Sequence, residues 1–158
     1  MLLRHCRQMK FPRARTLIAS AAIGAVAIAM TISMAQPGCT SVSGKTELVI
    51  AGKTLKIGQP GTFCYRDGAG RQLRFVLARG GDGKVRSVMD ACAQCYNFHK
   101  GFTYSDGYLI CRLCGNRYPI NHMTTGKASC VPVALPSTES DGRVTIRTAD
   151  LTKRAWLF

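Results

Sequence analysis

Acidic residues are scarce: 8 Asp and Glu stand against 22 Lys and Arg, a formal +14 at pH 7, and none precedes Glu47. Hydrolytic or phosphoryl chemistry therefore has little to work with, and neither paired carboxylates nor a Ser-His-Asp set is evident. Gly44-Lys45-Thr46 and Gly52-Lys53-Thr54 end like phosphate loops, but Cys39 and Glu47 occupy the positions where such a loop needs its first Gly. They read as turns. No basic stripe interleaved with aromatics is present, which argues against nucleic acid as a partner. No repeat of solenoid length occurs. The chain has only three His, and only "TADLTKRAW" near the end has a helical pattern, with Thr148 or Asp150 as its expected cap.

What is present begins at the N-terminus. Arg4, Arg7, Lys10, Arg13 and Arg15 precede "TLIASAAIGAVAIAMTISMAQ" (16–36), a run of 21 residues without a charge. Such a segment is a hydrophobic helix serving as a signal peptide or a membrane anchor. Ser33-Met34-Ala35 has the small residues of a cleavage site. Either reading places the remainder on the extracytoplasmic (periplasmic) side of the inner membrane, anchored by residues 16–36 or released after Ala35, because the cationic end stays inside. No Arg-Arg pair precedes the apolar run, so the twin-arginine export route is not indicated. Without residues 1–35 the chain keeps 17 Lys and Arg against 8 acids, a formal +9. That charge suits anionic lipid or an acidic protein, or simply a solvated surface.

Residues 36–46, "QPGCTSVSGKT", are rich in Gly, Ser and Thr and read as a linker. From 47 to 158 come short β-branched or alternating runs: "ELVI", "TLKI", "TFCYR", "QLRFVLA", "KVRSVM", "YLIC", "RYPI", "VPVAL" and "RVTIR". Turn signals such as Asp67-Gly68, Asp106-Gly107 and Asp141-Gly142 separate them. The expected fold is mainly β, a small sandwich or barrel.

Within it Cys92-x2-Cys95-x15-Cys111-x2-Cys114 has the spacing of a four-thiolate metal site. Two residues between thiols let a tight turn aim both sulfurs at one ion while backbone N–H groups point at them, and Gly115 suits such a knuckle. The cage accepts zinc, a single iron or an iron–sulfur cluster, since thiolates suit all three. Disulfides compete with this reading in an oxidising compartment. A thioredoxin-type site is poorly supported, because neither pair opens a helix in a βαβ context.

Several features beyond the spacing resemble one family. Asp90-Ala91-Cys92-x-x-Cys95, an aromatic stretch leading to Asp106-Gly107, Cys111-x-x-Cys114, Tyr118-Pro119-Ile120-Asn121, Gly126, and Cys130 ahead of Pro132 are similar to the membrane iron-sulfur-containing FtrD-like family, found with bacterial iron-uptake systems. The likeness covers about residues 62–152. It departs where Ala128-Ser129-Cys130-Val131-Pro132 replaces the family's Gly-Gly-Cys-Asn-Pro. The resemblance implies an iron–sulfur cluster or iron held by Cys92, Cys95, Cys111 and Cys114, and a membrane-embedded iron permease or redox protein as partner.

The order of knuckle, hairpin, knuckle and returning strands also resembles a Rieske domain, although each knuckle here carries two Cys instead of one Cys and one His. A zinc-ribbon-like arrangement is the other layout considered. An all-thiolate two-iron cluster sits at about −400 mV, against about −150 to +300 mV for a Rieske centre. Such a potential makes taking electrons from ferrous iron awkward and giving them away easier, with both directions left open.

Cys130 and His99 are candidate additional ligands, with His122 and Met123 a further pair considered for copper. Cys64 and Cys130 are also candidates for a disulfide, with Cys39 in the linker. Phe98, Phe102, Tyr104, Tyr108 and Tyr118 are expected to wall the centre from water, and Asp90 to orient the first knuckle by accepting N–H bonds. The function expected is electron transfer by an envelope protein in iron uptake or envelope redox chemistry. The alternatives are a structural zinc-ribbon module that binds a membrane transporter and a module that delivers metal.

Overall fold

The computed structural model describes residues 38–124 and 130–158. The apolar N-terminal segment and its expected helix lie outside the described residues, and no helix among those described is long and apolar enough to cross a membrane.

Among the described residues eleven strands form three sheets. The central sheet contains β1 (Thr40–Val42), β3 (Gly61–Arg66), β4 (Gln72–Arg79), β5 (Val85–Cys92) and β9 (Pro132–Ala134), in the order β1-β3-β4-β5-β9. Only the β1–β3 pair is parallel. β2 (Glu47–Ala51), β10 (Thr138–Ser140) and β11 (Arg143–Arg147) make a second sheet, and β6 (Phe102–Ser105), β7 (Tyr108–Cys111) and β8 (Arg117–Pro119) a third.

Strand β4 shows why three sheets suffice. Its residues alternate between two cores, as a pleat of period two requires. Leu73, Phe75 and Leu77 pack with Leu48 and Ile50 of β2 and Val144 and Ile146 of β11. Val76 and Ala78 point the other way, toward Leu109 of β7, Tyr118 of β8 and three cysteines. The central sheet is thus covered on both faces, and the second core contains the cysteine site.

The mainly β expectation holds, with local corrections. "TLKI" forms no strand: Leu55 is buried under the first core, while Ile57 makes one isolated bridge to Arg79. The expected C-terminal helix is a short one, α1 (Thr148–Thr152), followed by a single 3-10 turn at Ala155–Leu157. Neither expected residue caps it. The Thr148 hydroxyl donates to the carbonyls of Lys45 and Thr46, and the Asp150 carboxylate accepts from Arg147. The stretch with linker composition carries β1 from Thr40 onward, and Cys39 is disulfide-bonded to Cys64 across that edge. The Cys64–Cys130 bridge is therefore not formed.

Candidate metal centre

Two of the thiols arrive as the last residues of paired strands. β5 delivers Cys92 as its last residue and β7 delivers Cys111 as its last. Cys130 lies two residues ahead of β9, held beside β5 by the Cys92–Pro132 pairing and by Ala93 N–H donating to the Val131 carbonyl at 3.1 Å. Two hydrogen bonds link the two knuckles: Arg112 N–H donates to the Gly101 carbonyl at 3.0 Å, and Arg112 Nε to the Phe102 carbonyl at 2.7 Å.

In the first knuckle Cys95 N–H donates to Cys92 Sγ at 3.2 Å, the turn chemistry expected of a Cys-x-x-Cys pair. A 3-10 turn at Tyr96–Phe98 follows, and His99 adopts a left-handed backbone with φ of 50°. The chain then passes so close to Asp90 that a Cβ on Gly101 would stand 2.7 Å from the carboxylate, at a φ of +63°. Only glycine fits there without displacement. In the second knuckle Gly115, at φ +74°, donates its N–H to the Cys111 carbonyl at 2.9 Å.

Asp90 is the buried brace of this arrangement. It accepts from Phe102 N–H at 2.8 Å and pairs with Arg74 Nη2 at 3.0 Å. Burial pushes its pKa up, against the opposing pull of the Phe102 N–H and the Arg74 charge. Arg74 was not singled out from the sequence. It shares parity with Val76 and Ala78 and so projects to the cysteine side of β4. A cation placed among the site-facing positions of a buried strand was the signal for it.

The sulfurs of Cys92, Cys95, Cys111 and Cys130 all lie within 4.8 Å of one another. Cys130 Sγ stands 2.9 Å from Cys92 Sγ, 3.4 Å from Cys95 Sγ and 3.1 Å from Cys114 Sγ. The two expected pairs therefore converge, with the fifth thiol between them. Cys92, Cys111 and Cys130 are buried, and Cys114 is exposed. His99 is exposed beside this group; it lines a cleft of about 150 Å³ together with Cys92, Cys95, Cys111, Arg74 and Lys100. His122 is exposed by a different cleft, next to Ser87 and Leu135, while Met123 is buried in the same core as Cys92, Cys111 and Cys130.

Burial pushes the thiols up, and their mutual hydrogen bonds divide them. Cys95 rises to about 12 through burial and the neighbouring Cys92. Cys130 is also raised, by burial and by the sulfurs around it. For Cys92 hydrogen bonds from Cys130 and Cys95 outweigh burial and leave it lowered. For Cys114 the Cys130 thiol and the Asn116 N–H do the same, bringing it to about 7.

The aromatic wall is only partly as expected. Phe102 and Tyr118 are buried in the cysteine core, edge to face at 6.2 Å. Tyr108 alternates with buried Leu109 and so faces outward under the Arg117 guanidinium, while Tyr104 sits near the hairpin turn with its hydroxyl accepting from Gly107 N–H. Phe98 lies exposed on the first knuckle.

Together these features define a mainly β domain built around a convergent cysteine cluster. A family model described as the membrane iron-sulfur containing protein FtrD-like matches residues 55–158, and the chain belongs to that family. Among solved structures the chain is similar to a protein assigned as the small subunit of an NADH-dependent nitrite reductase from Mycobacterium tuberculosis, at 13% identity and a TM-score of 0.40, covering 65% of this chain and 96% of that one. No curated protein matches the chain.

The donor set fits iron. Five soft thiols converge with no carboxylate among them, and Cys92 Sγ accepts from a backbone N–H. The buried Tyr118 hydroxyl lies within reach of Asn116 and Cys130 and near enough to Cys114 to feel its charge. Burial raises its pKa, so it keeps its proton and stays a donor beside thiolates that metal binding would charge.

Proposed function

We propose that the chain is an envelope electron carrier whose iron or iron–sulfur centre is held by Cys92, Cys95 and Cys111, with Cys114 or Cys130 completing the set. It would serve a bacterial iron-uptake or envelope redox system, with a membrane-embedded permease or redox protein as partner. The convergence of Cys92, Cys95, Cys111 and Cys130 on one point carries the reading. When bound, thiolate-held iron takes up and gives off single electrons. The protein's own groups hold and insulate it: Phe102 and Tyr118 keep water from one side, and Asp90 with Arg74 fixes the first knuckle. The Cys39–Cys64 disulfide supports an extracytoplasmic address, since cytosolic reductants keep such bridges open. An all-thiolate donor set favours a low potential, and hence electron donation over oxidation of ferrous iron.

A single-ion site, zinc included, is the second reading, favoured by the distances. A tetrahedral tetrathiolate with metal–sulfur bonds of about 2.3 Å has sulfur–sulfur edges of about 3.8 Å, close to the spread within 4.8 Å found here. A two-iron cluster divides its ligands between two ions and needs some pairs farther apart. Redox titration of the protein's visible band tests the main reading. A one-electron step well below the Rieske range supports it, and a colourless protein with no step contradicts it.

A further inference from the structure

The cysteine loops meet solvent at a tip whose composition differs from the rest of the surface. Phe98 on the first knuckle is 60% exposed and Leu113 on the second 42%, beside the exposed thiol of Cys114. Beside them along the chain are Lys100 and Arg112, both exposed; the Arg117 guanidinium instead lies over the Tyr108 ring, toward the turn end of the hairpin. Neither Lys100 nor Arg112 forms a close ion pair among the described residues, although the Arg112 charge acts on the buried Asp90, whereas Arg71, Arg74, Arg79, Arg86 and Arg147 each do.

Apart from Asp90, which is buried and paired with Arg74, the sequence places little negative charge near the tip. Between Ala91 and Thr138 the only acidic residue is Asp106. It occupies the β6–β7 turn, at the end of the hairpin opposite the Phe102–Cys111 pair that abuts the knuckles. At about 3.3 Å per residue it stands roughly 10 Å or more away along the strands, and it is screened by solvent.

We infer that this tip is the docking surface for an acidic redox protein, with Phe98 and Leu113 as its apolar centre and Lys100 and Arg112 as its cationic rim. An apolar centre within a charged rim is the general anatomy of a transient interface, and a patch of this size suits a weak electron-transfer encounter, below about 1,200 Å² in total. Complementary charge sets the encounter rate and orientation more than the affinity. A protein is favoured over a lipid surface because lipid would seal the exposed Cys114 thiol away from a redox partner. The inference rests on the electron-carrier reading for its purpose, but the surface can be tested apart from it.

The test uses the full chain in detergent and two probes. The dithionite-reduced protein is oxidised by hexacyanoferrate(III), an anion, or by tris(phenanthroline)cobalt(III), a cation, at low and physiological ionic strength. In each case one electron passes from the protein to the complex. Lys100→Glu/Arg112→Glu should slow the anionic oxidant about tenfold at low salt and speed the cationic one. Lys53→Glu/Arg143→Glu, the same charge change on the opposite sheet, should change either rate less than twofold. Equal effects from both pairs would overturn the inference, because the response would then be to net charge alone.

Redox-inert hexacyanochromate(III) provides the second probe, read by line broadening in the zinc-loaded protein. Broadening centred on residues 98–100 and 112–114 supports the docking surface even if no redox step exists, in which case only the electron-carrier reading fails. Broadening elsewhere contradicts it. Phosphatidylglycerol vesicles give the remaining arm: retention that is abolished by Lys100→Glu/Arg112→Glu, without broadening at the tip, would assign the surface to lipid and refute the protein partner.

Discussion

Removing the disulfide by Cys39→Ser/Cys64→Ser changes the unfolded chain more than the folded one, so its effect can be worked from loop length. The bridge spans 25 residues, and closing a loop of that size withdraws about 3.5 kcal/mol of unfolded-state entropy at 25 °C. A folded unit of roughly 120 residues has a melting entropy of about 0.25 kcal/mol per kelvin, which converts the loss to about 14 °C in Tm. The bridge also ties the parallel edge strand β1 to β3, so amide exchange in residues 40–42 should rise with it. Thermal unfolding by circular dichroism, at fixed metal content, reads the first effect and hydrogen exchange the second. Among the described residues the five site thiols lie outside this bridge, and metal content should not change. A Tm drop below about 3 °C would refute the loop-entropy reasoning, and loss of metal would show that the bridge also shapes the site.

Three other outcomes are expected. In metal-free protein, iodoacetamide should modify Cys114 first, with a rate rising through about pH 7 as its lowered thiol ionises, while Cys95, held up to about 12, stays unreacted; mass spectrometry of early time points decides this, and early modification of Cys95 would contradict it. Gly101→Ala places a Cβ against the Asp90 carboxylate at an unfavourable φ and should cost about 1–3 kcal/mol, seen as a lower urea midpoint; an unchanged midpoint would mean the knuckle shifts freely. Cys130→Ser should lower bound metal more than Cys114→Ser, because Cys130 and not Cys114 belongs to the mutually close quartet, and elemental analysis giving the reverse order would assign the fourth position to Cys114.

Much of the site was legible because its determinants are local. A Cys-x-x-Cys spacing prescribes a knuckle wherever it lies, and Asp106-Gly107 joins β6 to β7 as its turn chemistry requires. The contribution of Cys130 was harder to read, since its proximity depends on the β5–β9 pairing across 38 residues. Arg74 was missed for a related reason: its meaning lies in which face of β4 turns toward the cysteines, and that is fixed by two separate cores. The failure at "TLKI" is tertiary as well. Leu55 supplies a buried contact without a neighbouring strand to complete a ladder. In β1, three residues of unremarkable composition gain their strand from pairing with β3.

The central claim is that the converging thiols hold iron, and metal and sulfide analysis with a visible spectrum tests it most directly, on full-length protein purified anaerobically beside Cys111→Ser. Iron in the wild type, with a charge-transfer band that dithionite bleaches and that the variant lacks, is the predicted result. One zinc per chain with no visible band would contradict the electron-carrier account and leave a structural thiolate site.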